Sequence, residues 1–120
     1  MLNAPDLSVD ARHAMQAAAI AGDSVYVPAI SLAEILYLIE KGRFLQNLLT
    51  QILKSVADPL AELKVIPFDE HIAQAMQQIP RPVVPEMPDR IIAATALFLD
   101  LPLVTRDHKI QSVKLIKTIW

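Results

Sequence analysis

Apolar and polar positions along the chain fall into blocks with two different periods. Residues Ser8–Ala21 read as a helix, with Ser8 as a cap and Gly22 as its stop. Val25-Tyr26-Val27 is a short β-branched and aromatic run, continued by Pro28-Ala29-Ile30, and reads as a strand. Ser31 then opens a helix to about Lys41, with Leu32, Ile35, Leu36, Leu38 and Ile39 at helical spacing and Gly42 as its stop. Phe44–Val56 is a further amphipathic helix, closed by Asp58-Pro59. Leu63–Phe68 reads as a strand and Asp69–Ile79 as a helix capped by Asp69. Prolines at 80, 82, 85 and 88 make the next stretch an extended loop. Pro88–Leu99 is a helix that starts on its proline, and Leu101–Thr105 and Leu115–Trp120 are strands.

Strands alternating with helices predict an α/β fold with a parallel sheet. In such a sheet, a helix after a strand begins at the strand's C-terminal edge. A helix before a strand begins at that same edge. The expected elements therefore bring three carboxylates together. Glu34 lies in the first turn of the helix after Val25–Val27, and Asp89 in the first turn of Pro88–Leu99. Asp107 follows strand Leu101–Thr105. That edge is where ligand sites of α/β proteins lie. Each acid also has a structural reading. Ser31 and Glu34 match a capping box. Asp89 suits a helix N-terminus, and Asp107 suits the cap of a turn at His108–Gln111. Three acids on one edge repel one another and call for a cation, for which hard oxygen ligands suit Mg²⁺ or Mn²⁺.

Composition narrows the picture. The chain has 120 residues, of which 53% are hydrophobic, and single domains most often hold roughly 100–150 residues. A single domain over 1–120 is expected. Only two glycines are present, Gly22 and Gly42, so no Gly-rich phosphate loop exists. The net charge of -2 gives no general basic face for nucleic acid, though metal ions would supply positive charge to a nuclease. Cysteine is absent, which excludes disulfides, thiolate zinc sites and cysteine nucleophiles. The N-terminus has no signal-peptide pattern, and the most apolar stretch, near Ile91–Leu99, is far short of the roughly 18 residues of a membrane span. A cytoplasmic protein without membrane contact is expected.

Three segments carry a resemblance. Val25-Tyr26-Val27-Pro28-Ala29-Ile30-Ser31-Leu32-Ala33-Glu34-Ile35, Met87-Pro88-Asp89-Arg90-Ile91-Ile92-Ala93-Ala94-Thr95-Ala96 and Leu101-Pro102-Leu103-Val104-Thr105-Arg106-Asp107 resemble the successive motifs of PIN-domain proteins. The closing Thr118-Ile119-Trp120 fits the same pattern, and the chain looks like the VapC-type toxin branch. The resemblance implies a three-layer α/β/α sandwich around a mostly parallel sheet. It implies a Mg²⁺- or Mn²⁺-dependent endoribonuclease that cleaves RNA with metal-activated water. It also implies a homodimer and a cognate antitoxin. Carried over residue by residue, the matched acids are Glu34, Asp89 and Asp107 as metal and catalytic residues, with Thr105 as the polar position beside the last.

One departure stands out. Members of that family open with a strand ending in aspartate and then a short helix, and Leu2–Ser8 resembles the segment just after that helix. The first strand and its acid are therefore expected to be absent, through a start codon placed too late or a real truncation. A truncated chain would be inactive and act only by dimerisation or antitoxin binding. Arg90, Arg106 and Lys109 flank the acids, and Arg90 and Arg106 are the candidates for holding RNA phosphates. His108 is the candidate histidine at the edge. Tyr37 and Phe44 are candidate anchors of a partner surface, and Trp120 is expected to pack. A receiver domain would need paired acids after its first strand and a late lysine, and neither is visible.

Overall fold

The computed structural model describes residues 24–42, 47–58 and 63–120. The helix expected over Ser8–Ala21, and Phe44, lie outside the described residues. Strand β1 (Val25–Pro28) is followed by helices α1 (Ala29–Glu40) and α2 (Leu48–Ala57) and strand β2 (Leu63–Ile66). Then come α3 (Glu70–Ala75), which tightens into a 3₁₀ turn over Met76–Gln78, and α4 (Met87–Leu99). Strand β3 (Leu103–Val104), α5 (His108–Gln111) and strand β4 (Thr118–Ile119) complete the order.

Every strand pairing among the described residues is parallel. β1 lies beside β2 with Val25 opposite Leu63 and Pro28 opposite Ile66. β3 lies beside β4 with Leu103 opposite Thr118. The expected parallel α/β architecture is therefore present, as two two-stranded sheets. Each of β1 and β3 has one edge without a strand partner among the described residues. The last strand is shorter than expected, because Ile116 N–H turns back to the Val113 carbonyl at 3.3 Å and leaves Leu115 in solvent. Trp120 follows β4 and is half-buried.

Local chemistry explains most boundaries. Asp69 accepts hydrogen bonds from the N–H groups of His71 and Ile72, capping α3 as expected. Gly42 adopts φ +75 just past α1, the left-handed geometry that glycine tolerates at a helix end. α1 begins two residues earlier than expected. Pro28, with φ -61 and ψ 138, takes the N-cap position, and Ala29 and Ile30 are already helical. α4 stops at Asp100, whose φ of 53 is left-handed, while Leu101 N–H reaches the Ala96 carbonyl at 3.1 Å.

Helix α4 is the centre of the molecule. Ile91 through Ala96 are all buried, as expected of a helix apolar on every side. Its one polar group there, Thr95 Oγ1, donates to the Ile91 carbonyl at 2.7 Å. One core joins α4 to Ile72, Ile79, Val84, Leu103 and Ile110, with Tyr26, Ile30 and Ile66 packed against it. Burying each such large side chain contributes about 1.5–3 kcal/mol relative to leaving it exposed. Both strand pairs thus rest on a single apolar body.

Candidate functional site

The site forms where α1, α4 and the β3–α5 corner meet. The corner is built by its own polar groups. Thr105 Oγ1 accepts the Asp107 N–H at 3.1 Å, which bends the chain out of β3. Asp107 Oδ1 then accepts the Ile110 N–H at 3.0 Å and caps α5. Gln111 Nε2 closes the loop on the Thr105 carbonyl at 3.0 Å. Gln111 was not a sequence candidate, although a long amide one helical turn past a capping aspartate is a readable signal.

Glu34 and Asp89 are held differently. Asp89 lies in the first turn of α4, as expected. Glu34 does not lie in the first turn of α1, because the helix starts at Ala29. The capping-box reading therefore fails: Ser31 is inside the helix, and its buried hydroxyl has no partner among the described residues. Glu34 is freed from a capping role. Neither Glu34 nor Asp89 carboxylate makes a side-chain hydrogen bond among the described residues.

The three acids nonetheless feel one another. Burial raises the pKa of Glu34, and the charges of Asp89 and Asp107 raise it further. Burial also raises the pKa of Asp89, followed by repulsion from Asp107 and Glu86, while Lys109 draws it down. Elements far apart in sequence have thus brought three carboxylates into one field. Among the described residues, no three acidic or histidine side chains converge closely enough to hold an ion together. The donor set still fits a hard divalent cation, since Mg²⁺ is commonly held by one or two carboxylates while keeping several waters. Half-buried, mutually repelling carboxylates with unused oxygens are such donors.

The basic candidates separate. Arg106 is exposed beside Asp107, and Lys109 is exposed on α5 with its charge felt at Asp89. Arg90 faces elsewhere: its Nη2 donates to the carbonyls of Met76 and Ile79 at 2.8 and 3.1 Å. Arg90 was expected to hold phosphate, and its Nη2 is engaged by these two carbonyls. Thr105 is fully buried, so it acts on Asp107 rather than on a ligand directly. His108 and Tyr37 are exposed.

Parallel strands, covering helices and three carboxylates in one field define an α/β protein with an acidic candidate site. The chain belongs to the PIN domain family, which matches residues 6–115. No curated relative matches the sequence. PIN domains are in general metal-dependent nucleases and act on nucleic acids. No helix among the described residues is long and apolar enough to cross a membrane.

Proposed function

We propose that the chain, a single domain over 1–120, is a metal-dependent endoribonuclease of the VapC type, the toxin of a type II toxin–antitoxin pair. The observation that supports this most is the mutual repulsion of Glu34, Asp89 and Asp107, drawn from three elements to one edge. In this reading Glu34, Asp89 and Asp107 hold Mg²⁺ or Mn²⁺, Asp107 through the oxygen its capping bond leaves over. A bound ion would acidify water for attack and offset charge on the scissile phosphate. Thr105 and Gln111 keep the Asp107 carboxylate at its angle. Arg106 and Lys109, exposed around the acids, hold the phosphates that flank the cut. An antitoxin, a second copy of the chain and a cytoplasmic location complete the proposal.

One feature favours a second reading, an inactive PIN-like protein that works only by dimerisation or antitoxin binding. The carboxylates do not converge on one ion position among the described residues. Cleavage of varied RNAs with Mg²⁺ or Mn²⁺, set against Asp89→Asn, decides between the two. Metal-dependent cleavage that Asp89→Asn removes supports the nuclease. Antitoxin binding without any cleavage supports the second reading.

A further inference from the structure

We infer that Arg90 is a positioning residue for Asp89, setting its place by fastening the two ends of the proline loop together. The inference rests on the proposed metal site and adds to it. The 3₁₀ turn after α3 runs out at Ile79, and the next residues are Pro80, Arg81 and Pro82. A continuing α-helix would offer the Met76 carbonyl the N–H of residue 80, but proline has none. The Ile79 carbonyl would take the N–H of Val83, but that group turns to the Pro80 carbonyl at 3.0 Å. The Met76 carbonyl already accepts the Ile79 N–H at 3.0 Å, and Arg90 Nη2 adds a second donor to it at 2.8 Å; at the Ile79 carbonyl Arg90 Nη2 donates at 3.1 Å in place of the backbone N–H.

The bonds reach back 14 and 11 residues, so they span the whole loop. Charge-assisted bonds of this kind are stronger than neutral ones. Met76, in the 3₁₀ turn, packs against the core that includes α4, and Ile79, just past the turn, is fully buried within it. Arg90 therefore ties the first turn of α4, where Asp89 sits, to a rigid part of the core. Its Nε is buried without a partner among the described residues, so the guanidinium is kept there at some cost. The loop between carries three prolines and few bonds of its own, and would otherwise leave that turn loosely set.

The test uses the full chain with Arg90→Met and Arg90→Gln. Mn²⁺ uptake is followed by electron paramagnetic resonance, and amide hydrogen exchange is followed over residues 80–89, both where each variant is folded. Arg90→Met should weaken Mn²⁺ binding about tenfold, as loss of a ligand's outer support typically does. Exchange over the loop should quicken with it. Arg90→Gln keeps one donor and should fall between. A folded Arg90→Met, or an Arg90→Gln if only that one folds, with the wild-type's Mn²⁺ affinity overturns the inference. If the wild type takes up no Mn²⁺, the metal reading fails instead, and the exchange measurement still decides whether Arg90 fastens the loop.

Discussion

Asp107 and the pair Glu34 and Asp89 stand at one edge of the fold but are secured by opposite means. Asp107 sits in a corner where Thr105, Ile110 and Gln111 each make a hydrogen bond that fixes its angle. Glu34 and Asp89 project from long helices, and no hydrogen bond to either carboxylate among the described residues fixes where it stands. The first arrangement stabilises the folded chain. The second costs stability, because burial and repulsion act on charges that nothing among the described residues offsets apart from Lys109. In the proposed nuclease reading, such a pair exchanges stability for readiness to bind a cation.

The largest expected effect is on activity. Asp89→Asn should lower metal-dependent RNA cleavage by about 100-fold or more, since outer-sphere losses alone reach that range. Turnover of a labelled RNA at saturating Mg²⁺ measures it. Asp107→Ala comes next and breaks the self-bonded side. Loss of the α5 cap should cost about 1 kcal/mol, and thermal unfolding would show a drop of roughly 4–8 °C. Asp89→Asn should move the metal-free protein the other way. Removing a half-exposed, repelled charge should add about 0.5 kcal/mol after solvent screening, so its melting point should rise while that of Asp107→Ala falls. A fall in both would erase the contrast.

The smallest effect is in the pH dependence. Glu34 and Asp89 have folded pKa values above their ordinary 4.5 and 3.8. Between each ordinary and raised value the folded state holds more protons than the unfolded state. Stability therefore falls as pH rises through that window, and the loss persists at neutral pH. Acidifying the metal-free wild type from pH 7 toward 4 should narrow its deficit against Glu34→Gln/Asp89→Asn. Paired denaturant titrations at each pH measure the difference, and a gap that stays constant would contradict the shifts.

Short-range chemistry was legible in the chain and long-range chemistry was not. The Asp69 cap, the Gly42 stop and the start of α4 beside Pro88 each depend on neighbours within a few residues. That the charges of Glu34, Asp89 and Asp107 act on one another was foreshadowed by parallel α/β order, although Glu34 lies deeper in α1 than its spacing suggested. Ser31 and Glu34 misled, because their spacing is the same whether the helix begins at Ser31 or at Ala29. Only Pro28, already extended at its fixed φ, places the start. The true bond of Arg90 joins positions 11 and 14 residues apart, and no local pattern announces such a partner. Its nearness in sequence to Asp89 suggested a phosphate contact, and gave no sign of the two carbonyls that its Nη2 meets.

Trp120 is the chain's one tryptophan, and it directly follows β4. Its fluorescence therefore reports from the end of β4. Circular dichroism in the far ultraviolet averages over all the helices. If the shared core makes the fold one cooperative unit, the two signals lose their native values at the same denaturant concentration. An earlier shift of the tryptophan emission would mark the Asp107 corner as a part that opens by itself.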